Sequence, residues 1–351
     1  MLKAETLDKL NDPNLIAMDR KHVQRMEALY AGEDDSNDLY VLYGKSAGLD
    51  LADESLSLEE KLANALDELA ADADRLTDEQ TFRPLVLNAD MFGVHYIDNI
   101  FARACFGIET KWGHRANDFE VGSLTEIDLD NDPYWIAAKE ATLKFLEVEA
   151  PLVRMTPICL ANSLNTAMNL YGQSLLMAFY DNPEGVRNDF QLINDVIVTM
   201  HKWYRDTVPA DKLATIAAGV RFMPPGHGHL DGCSTQMLSP DQYDEFVRDL
   251  DDAITSVWPN GSMLHLCGAH TQHLPTWSKL DSFKAFQLCD GPNAELEDYY
   301  TQSRDDQIIY VGPTAKISMD RIMDITGGWR IILADDLYKK FGELPQRRPK
   351  R

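Results

Sequence analysis

The sharpest chemical signal in this 351-residue sequence is the run Leu264-His265-Leu266-Cys267-Gly268. Alternate residues of an extended segment share a face, so His265 and Cys267 are expected to point one way and Leu264 and Leu266 the other. Imidazole nitrogen and thiolate sulfur are preferred zinc ligands. Two of them on one strand begin a metal site, but a third is needed. A buried histidine and cysteine can also simply fill a core, so the spacing alone leaves both readings open.

Other polar residues stand where short apolar runs end. They are Asn88 and Asp90; Asn162 and Asn165; His227, His229 and Asp231; Cys289 and Asp290; Thr314; Asp335 and Asp336. Asp90, Asp231 and Asp335 are candidate acids or bases. Asn88, His229, His270 and Asp290 are candidate substrate contacts. His270 and His273 share a face if a helix starts there, and solvent exposure is the plainer expectation for both. His229, Asp231 and Cys233 alternate, yet Pro224-Pro225-Gly226 just upstream favours a loop, which breaks strict alternation. There is no GxSxG elbow, no HExxH and no phosphate loop, so serine nucleophiles and nucleotide binding lack support.

These residues need elements to position them. Apolar runs suited to strands occupy residues 84–88, 158–161, 215–222, Ser262–Cys267, 283–288, Ile308–Val311 and 330–333, with an eighth at 118–122 or 152–155. Amphipathic helices lie between them. Ser239-Pro240-Asp241-Gln242 starts one, with a capping serine, a first-turn proline and a capping-box glutamine. Tyr243, Phe246, Val247, Leu250, Ile254 and Val257 follow at helical spacing. Ile193, Val196, Ile197, Met200 and Tyr204 stripe a second helix, and residues 318–325 form a third, closed by Gly327-Gly328. Such stripes are core faces; Trp203 and Tyr204 are read as packing. Alternating strands and helices predict parallel β/α packing. Seven or eight strands with no GxGxxG favour a (β/α)8 TIM barrel over a doubly wound fold, with its active site at the C-terminal strand ends. Residues 1–80 read as a helical N-terminal extension packed on the barrel, with a capping box at Ser57 and Glu60 ahead of a Leu58, Leu62, Leu66, Leu69 stripe. Glu33-Asp34-Asp35 reads as a solvated loop. The barrel is expected over 81–340 and a basic tail over 341–351.

Composition bounds the partners. A chain of this length buries roughly 75% of its unfolded surface and needs no disulfide or metal for stability. With 57 acidic against 33 basic residues, the formal charge is −24 at pH 7. That charge disfavours nucleic acid and anionic membrane surfaces; it fits simple solubility and a saline habitat equally. No apolar run approaches the ~20 residues of a membrane span, and the N-terminus lacks the pattern of a secretion signal. The five cysteines, Cys105, Cys159, Cys233, Cys267 and Cys289, are expected as reduced thiols of a cytoplasmic enzyme.

Three segments carry a family resemblance: NSLNTAMNLYGQSLLMAFYDNPEGV at 162–186, DGCSTQMLSPDQYDEFV at 231–247 and HLCG at 265–268. Together with Arg83-Pro84 they span about residues 83–335. The sequence resembles the uroporphyrinogen decarboxylase superfamily, which includes zinc-dependent, corrinoid-linked methyltransferases acting on coenzyme M. The resemblance implies a (β/α)8 barrel. It departs from true uroporphyrinogen decarboxylases, whose opening segment resembles RPPVWxMRQAGRY. Here the stretch reads RPLVLNADMFGVHY, with Asp90 and Val94 in place of the two substrate-holding arginines. An anion there should repel a polycarboxylate by several kcal/mol as an order of magnitude, which argues against decarboxylation of uroporphyrinogen.

The methyltransferase branch binds zinc through His-x-Cys and a later cysteine near the last strand. His265 and Cys267 match; no cysteine follows Cys289, and the last strand carries Asp335. A third ligand is therefore expected from Asp335, Cys289 or another residue of the mouth. The resemblance implies a zinc-assisted methyltransferase that moves a methyl group between a corrinoid, held on a separate protein, and a small thiol or related acceptor. The alternative is a metal-independent decarboxylase or lyase acting on a small carboxylic acid or tetrapyrrole-like substrate, with Asp90, Asp231 or Asp335 as acid or base. A non-enzymatic corrinoid receptacle ranks last, because the mouth holds many titratable groups.

Overall fold

The computed structural model describes residues 2–43, 45–51, 53–108, 119–158, 161–214, 221–289, 292–335 and 344–350. It is a mixed α/β structure whose strand pairings, among these residues, are all parallel. The strands are β1 (Val41–Tyr43), β2 (Lys45–Gly48), β3 (Thr81–Phe82), β4 (Leu85–Asn88), β5 (Val153–Thr156), β6 (Gly228–Asp231), β7 (Ser262–Cys267), β8 (Phe283–Cys289), β9 (Ile308–Val311) and β10 (Ile331–Asp335). One sheet runs β3-β1-β10-β9-β8-β7-β6 and a second β2-β4-β5. Arg83-Pro84 separates β3 from β4, and proline, which cannot donate to a ladder, fits such a break. Beyond β5, Met155 bridges Leu213 and Ala161 bridges Asp231, both in parallel sense.

Alternation along the strands sorts two cores. Leu264, Leu266, Phe286, Leu288 and Val311 pack with Phe190, Ile197, Tyr243 and Ile254 of the covering helices. Met263, Ala285, Tyr310 and Ile332 join Leu15, Met26, Leu62 and Leu66 from the N-terminal helices in a second cluster. The capping boxes at Ser57 and Ser239 both form. The helix begun at Ser239 breaks at Val247, giving Pro240–Phe246 and Arg248–Thr255. The helices Pro183–Thr207 and Met319–Thr326 carry the other two stripes, the latter closed by Gly327 at φ +60°.

Several expectations are corrected. Residues 1–80 are more than a helical extension, for they supply β1 and β2, with β1 inserted between β3 and β10. Leu39, Tyr40, Val41, Leu42 and Tyr43 are all buried. Such an unbroken apolar run is the mark of a strand covered on both faces, and it lacks the period of two that betrays a half-buried one. Of the two places offered for an eighth strand, Val153–Thr156 forms one and 119–122 does not; of the run expected at 158–161, Ile158 is outside any strand, Ala161 makes a single bridge, and 159–160 lie outside the described residues. Gly228–Asp231, read as loop, is a strand. Most of the expected strand at 215–222 lies outside the described residues. Asp34 is buried against Arg347 of the C-terminal segment, at 2.9 Å. That segment also ties back through Arg348 to Asp324 at 2.7 Å and through a bridge from Gln346 to Asp38. Cys105, Cys233, Cys267 and Cys289 are free thiols, and Cys159 lies outside the described residues. No described helix is long and apolar enough to cross a membrane.

A buried ion pair ties the N-terminal helix Pro13–Tyr30 to β5. Arg154 donates through Nη1 and Nη2 to the two carboxylate oxygens of Asp19, at 2.9 and 2.6 Å. Removing one partner leaves the other charge buried and uncompensated. Arg154→Met is expected to lower the unfolding free energy by about 3–5 kcal/mol, and Asp19→Leu added to it should restore most of that loss. Chemical denaturation checks both; a single variant as stable as the wild type would refute the pairing.

Asp251 is fully buried and accepts from Asn162 Nδ2 at 3.1 and 3.3 Å and from the Tyr243 hydroxyl at 3.0 Å. Burial pushes its pKa up to about 7, while those hydrogen bonds act the other way. A carboxyl raised in the folded state contributes stability that is full below its ordinary pKa, near ~4, and is lost as pH rises through about 7. Asp251→Asn removes this dependence. Between about pH 4 and 8 the variant should gain on the wild type by on the order of a few kcal/mol, read as unfolding free energy against pH. A constant difference would show that the carboxyl does not titrate in the interior.

Candidate metal centre

The pairing of β6 with β7 builds the site. Asp231 lies opposite His265 and His229 opposite Met263; on the other side of β7, Cys267 lies opposite Cys289 and His265 opposite Gln287. Leu264 and Leu266 turn to the helical core, so His265 and Cys267 share the other face. The ladder runs one residue past β6, with Gly232 N–H donating to the His265 carbonyl at 3.0 Å. The chain then enters a short 3-10 turn, Cys233–Met237. This brings Cys233 beside β7, and the donor atoms of Cys233, His265 and Cys267 all lie within 4.8 Å of one another. Cys267 Sγ is 3.2 Å from His265 Nε2.

His265 is oriented for ligation. Its Nδ1 meets the Gln287 side-chain oxygen, which can only accept, so Nδ1 carries the proton. Arg221 Nη2, which can only donate, lies 3.5 Å from Nε2. Both neighbours leave the lone pair on Nε2, the nitrogen that faces the sulfurs. A polar partner on the remote nitrogen is what commonly fixes the tautomer of a metal-bound histidine. The donor set also fits zinc. Tetrahedral zinc with sulfur at about 2.3 Å and nitrogen at about 2.0–2.1 Å requires donors roughly 3.4–3.8 Å apart, and two thiols with one imidazole leave a fourth position for a substrate atom.

A charged cluster lies alongside. Asp231 Oδ1 is 3.4 Å from Arg221 Nη1, 3.7 Å from His229 Nε2 and 3.9 Å from His265 Nε2. For His265, burial acts downward, as does Arg221, but Asp231 and Cys267 act upward and the net shift is up. Burial pulls His229 down to about 3, leaving it neutral near pH 7. Cys233 is held below the usual thiol range, first by its hydrogen bond with Cys267.

The turns that carry the cysteines are themselves held. Asn165 accepts from Ser234 N–H at 2.7 Å and donates to the Asp231 carbonyl at 3.0 Å. Asn162, capping the helix Ser163–Tyr171, bonds Asp251. Gly268 sits at φ +93°, the left-handed region that favours glycine, with the end of the Gln236 side chain lying against it. His270 and His273 are both fully buried, against the expectation of exposure. His270 contacts Thr235 Oγ1 at 2.9 Å and the Cys267 carbonyl at 2.8 Å, so neither ring nitrogen is left for a substrate. His273 Nε2 contacts the Thr235 carbonyl at 2.8 Å.

The remaining candidates fall elsewhere. Asn88 accepts from Asp90 N–H at 2.8 Å, and Asp90 accepts from Phe92 and Gly93 N–H at 3.1 and 3.0 Å, so both shape the turn after β4. Thr314 is exposed, and Asp335 ends β10 opposite Tyr43. Asp290 and Asp336 lie outside the described residues. The nearby third donor is Cys233, which sequence reasoning passed over because it sought a partner near the last strand. The available signal was a cysteine two residues after the acid of an alternating His-x-Asp. A cavity of about 640 Å³ lined by Tyr30, Pro224, His227, Trp258, Asp281 and Asp306 lies away from this centre, where the chain enters β6 to β9.

No protein-family model and no curated protein matches the chain. Its structure is similar to that of a methyltransferase from Methanosarcina mazei, with a TM-score of 0.56 and 13% sequence identity over 89% of this chain and 91% of that one. A likeness at that identity speaks to the fold.

Proposed function

We propose that the chain is a methyltransferase of the uroporphyrinogen decarboxylase superfamily, moving a methyl group between a corrinoid on a separate protein and a small thiol. In this reading the two sheets close into a (β/α)8 barrel through the bridge between Ala161 and Asp231, and the metal centre opens at its C-terminal mouth. The observation that carries the reading is the convergence of Cys233, His265 and Cys267 at the ends of β6 and β7. The likeness to the Methanosarcina methyltransferase supports the scaffold.

Cys233, His265 and Cys267 would hold zinc, which when bound supplies the Lewis acidity that makes a thiol ionise near neutral pH. Gln287 keeps the His265 lone pair turned toward the ion. Asp231 and Arg221 would balance charge beside it, and Asp231, 3.9 Å from His265 Nε2, would serve as acid or base. His229, neutral and with no hydrogen-bond partner for Nε2 among the described residues, is a substrate contact. Asn88 and Asp90 shape the turn after β4.

The test is zinc content together with methyl transfer from methylcobalamin to a panel of small thiols. One zinc per chain is expected. Cys233→Ser, His265→Ala and Cys267→Ser should each lose the metal and at least about 100-fold in rate, of the order that follows from losing direct transition-state contacts. Transfer that survives in metal-free protein would sink the proposal.

Arg221 favours a second reading, a carboxy-lyase on a small acid. Its Nε has no hydrogen-bond partner among the described residues, and its guanidinium stands between Asp231 and His265, suited to holding a carboxylate beside Asp231. Carbon dioxide release that persists under chelation and disappears in Arg221→Gln would favour it.

A further inference from the structure

We infer that His270 is a positioning residue that sets the separation of the Cys233 and Cys267 sulfurs; the inference rests on the metal reading above. The two cysteines come from different turns, one after β6 and one at the end of β7. The His270 ring spans them. A carbonyl only accepts, so Nε2–H donates to the Cys267 carbonyl at 2.8 Å. Nδ1 is then an acceptor, facing Thr235 Oγ1 at 2.9 Å, two residues beyond Cys233. The Thr235 hydroxyl has a single proton, which it gives to Nδ1 or to the Gly232 carbonyl 2.7 Å away, on the other side of Cys233. One imidazole therefore ties the backbone of one ligand to the turn that brackets the other.

A histidine that merely filled space would need partners somewhere, not on both ligand-bearing turns. His270 is fully buried and rests on Trp277, with ring centroids 6.1 Å apart, so the strut is stiff. Without it, the Cys233 turn keeps Asn165, His273 and the hydrogen bond between Cys233 and Cys267 but loses the tie from Thr235 to the Cys267 carbonyl. Metal binding would then have to order a looser turn, and groups that orient metal ligands typically govern 10–100-fold in affinity.

Cobalt(II), added to metal-free full-length protein in competition with a chromophoric chelator, reads both affinity and thiolate ligation. His270→Ala and Thr235→Val should each weaken cobalt binding by about 10–100-fold and lower the thiolate-to-cobalt absorption as Cys233 drops away. The double variant should be little worse than either, since all three break one tie. Thermal unfolding of the metal-free proteins should differ far less between variants than their cobalt affinities do. Variants that bind cobalt as the wild type does, with unchanged absorption, overturn the inference. A wild type that binds no cobalt overturns the metal reading itself, so the two failures are told apart. If His270→Ala does not fold, Thr235→Val, which keeps the side-chain shape, decides alone.

Discussion

The register of β6 against β7 is the constraint on which the candidate site depends. With Asp231 opposite His265, the next amide, Gly232 N–H, still reaches the His265 carbonyl. The chain turns only after that bond, and the turn therefore starts at the level of Cys267. A slip of one residue would invert every side chain of β6. It would send Leu230 into the site and Asp231 into the helical core, where a carboxylate has no partner. The apolar alternation of β7, with Leu264 and Leu266 outward, and the buried charge of Asp231 thus enforce the same register from opposite directions.

Much of this was legible from residue types. Ser262–Cys267 and Ile308–Val311 appear at the expected positions, because each is a compact apolar run with a clear boundary. The capping boxes at Ser57 and Ser239 were equally plain, since their chemistry is local. What failed was non-local. Gly228–Asp231 is too short and too polar to announce itself as a strand; it pairs because the edge of β7 offers a partner and because Trp258 packs over Gly228, where a Cβ would collide at 1.9 Å. Val41–Tyr43 lay within a segment dominated by helical periodicity. Its strand character comes from being buried on both sides.

The site divides in the same way. His265 and Cys267 were readable because one strand presents both. Cys233 was not, since its proximity follows from the ladder between two strands about thirty residues apart in sequence. His270 and His273 were misjudged as exposed for a related reason. A histidine in a loop looks solvated until the loop is seen to fold over a neighbouring turn, and here each ring places a nitrogen on a group of the Thr235 region.

The opposite end of the strands is built on a different principle. There the helix Pro13–Tyr30 closes the sheet with the Arg154–Asp19 pair, and Tyr30 meets Tyr310 at 2.9 Å while Tyr310 donates to the Phe222 carbonyl at 2.7 Å. Both carboxylate oxygens of Asp19, the two terminal nitrogens of Arg154 and both phenols are hydrogen-bonded, while Arg154 Nε has no partner among the described residues; burial holds both tyrosines well above their ordinary pKa, un-ionised. Groups tied to one another in this way stabilise a fold and offer little to a substrate. The mouth differs in kind. His229 Nε2 and Arg221 Nε are buried without hydrogen-bond partners among the described residues, and two thiols stand beside an imidazole lone pair. Leaving such groups unsatisfied costs free energy, which a fold tolerates where a ligand completes them. The imidazole lone pair beside two thiols, more than cavity size or unpartnered atoms, is what suits the end where β6 and β7 finish to the proposed chemistry.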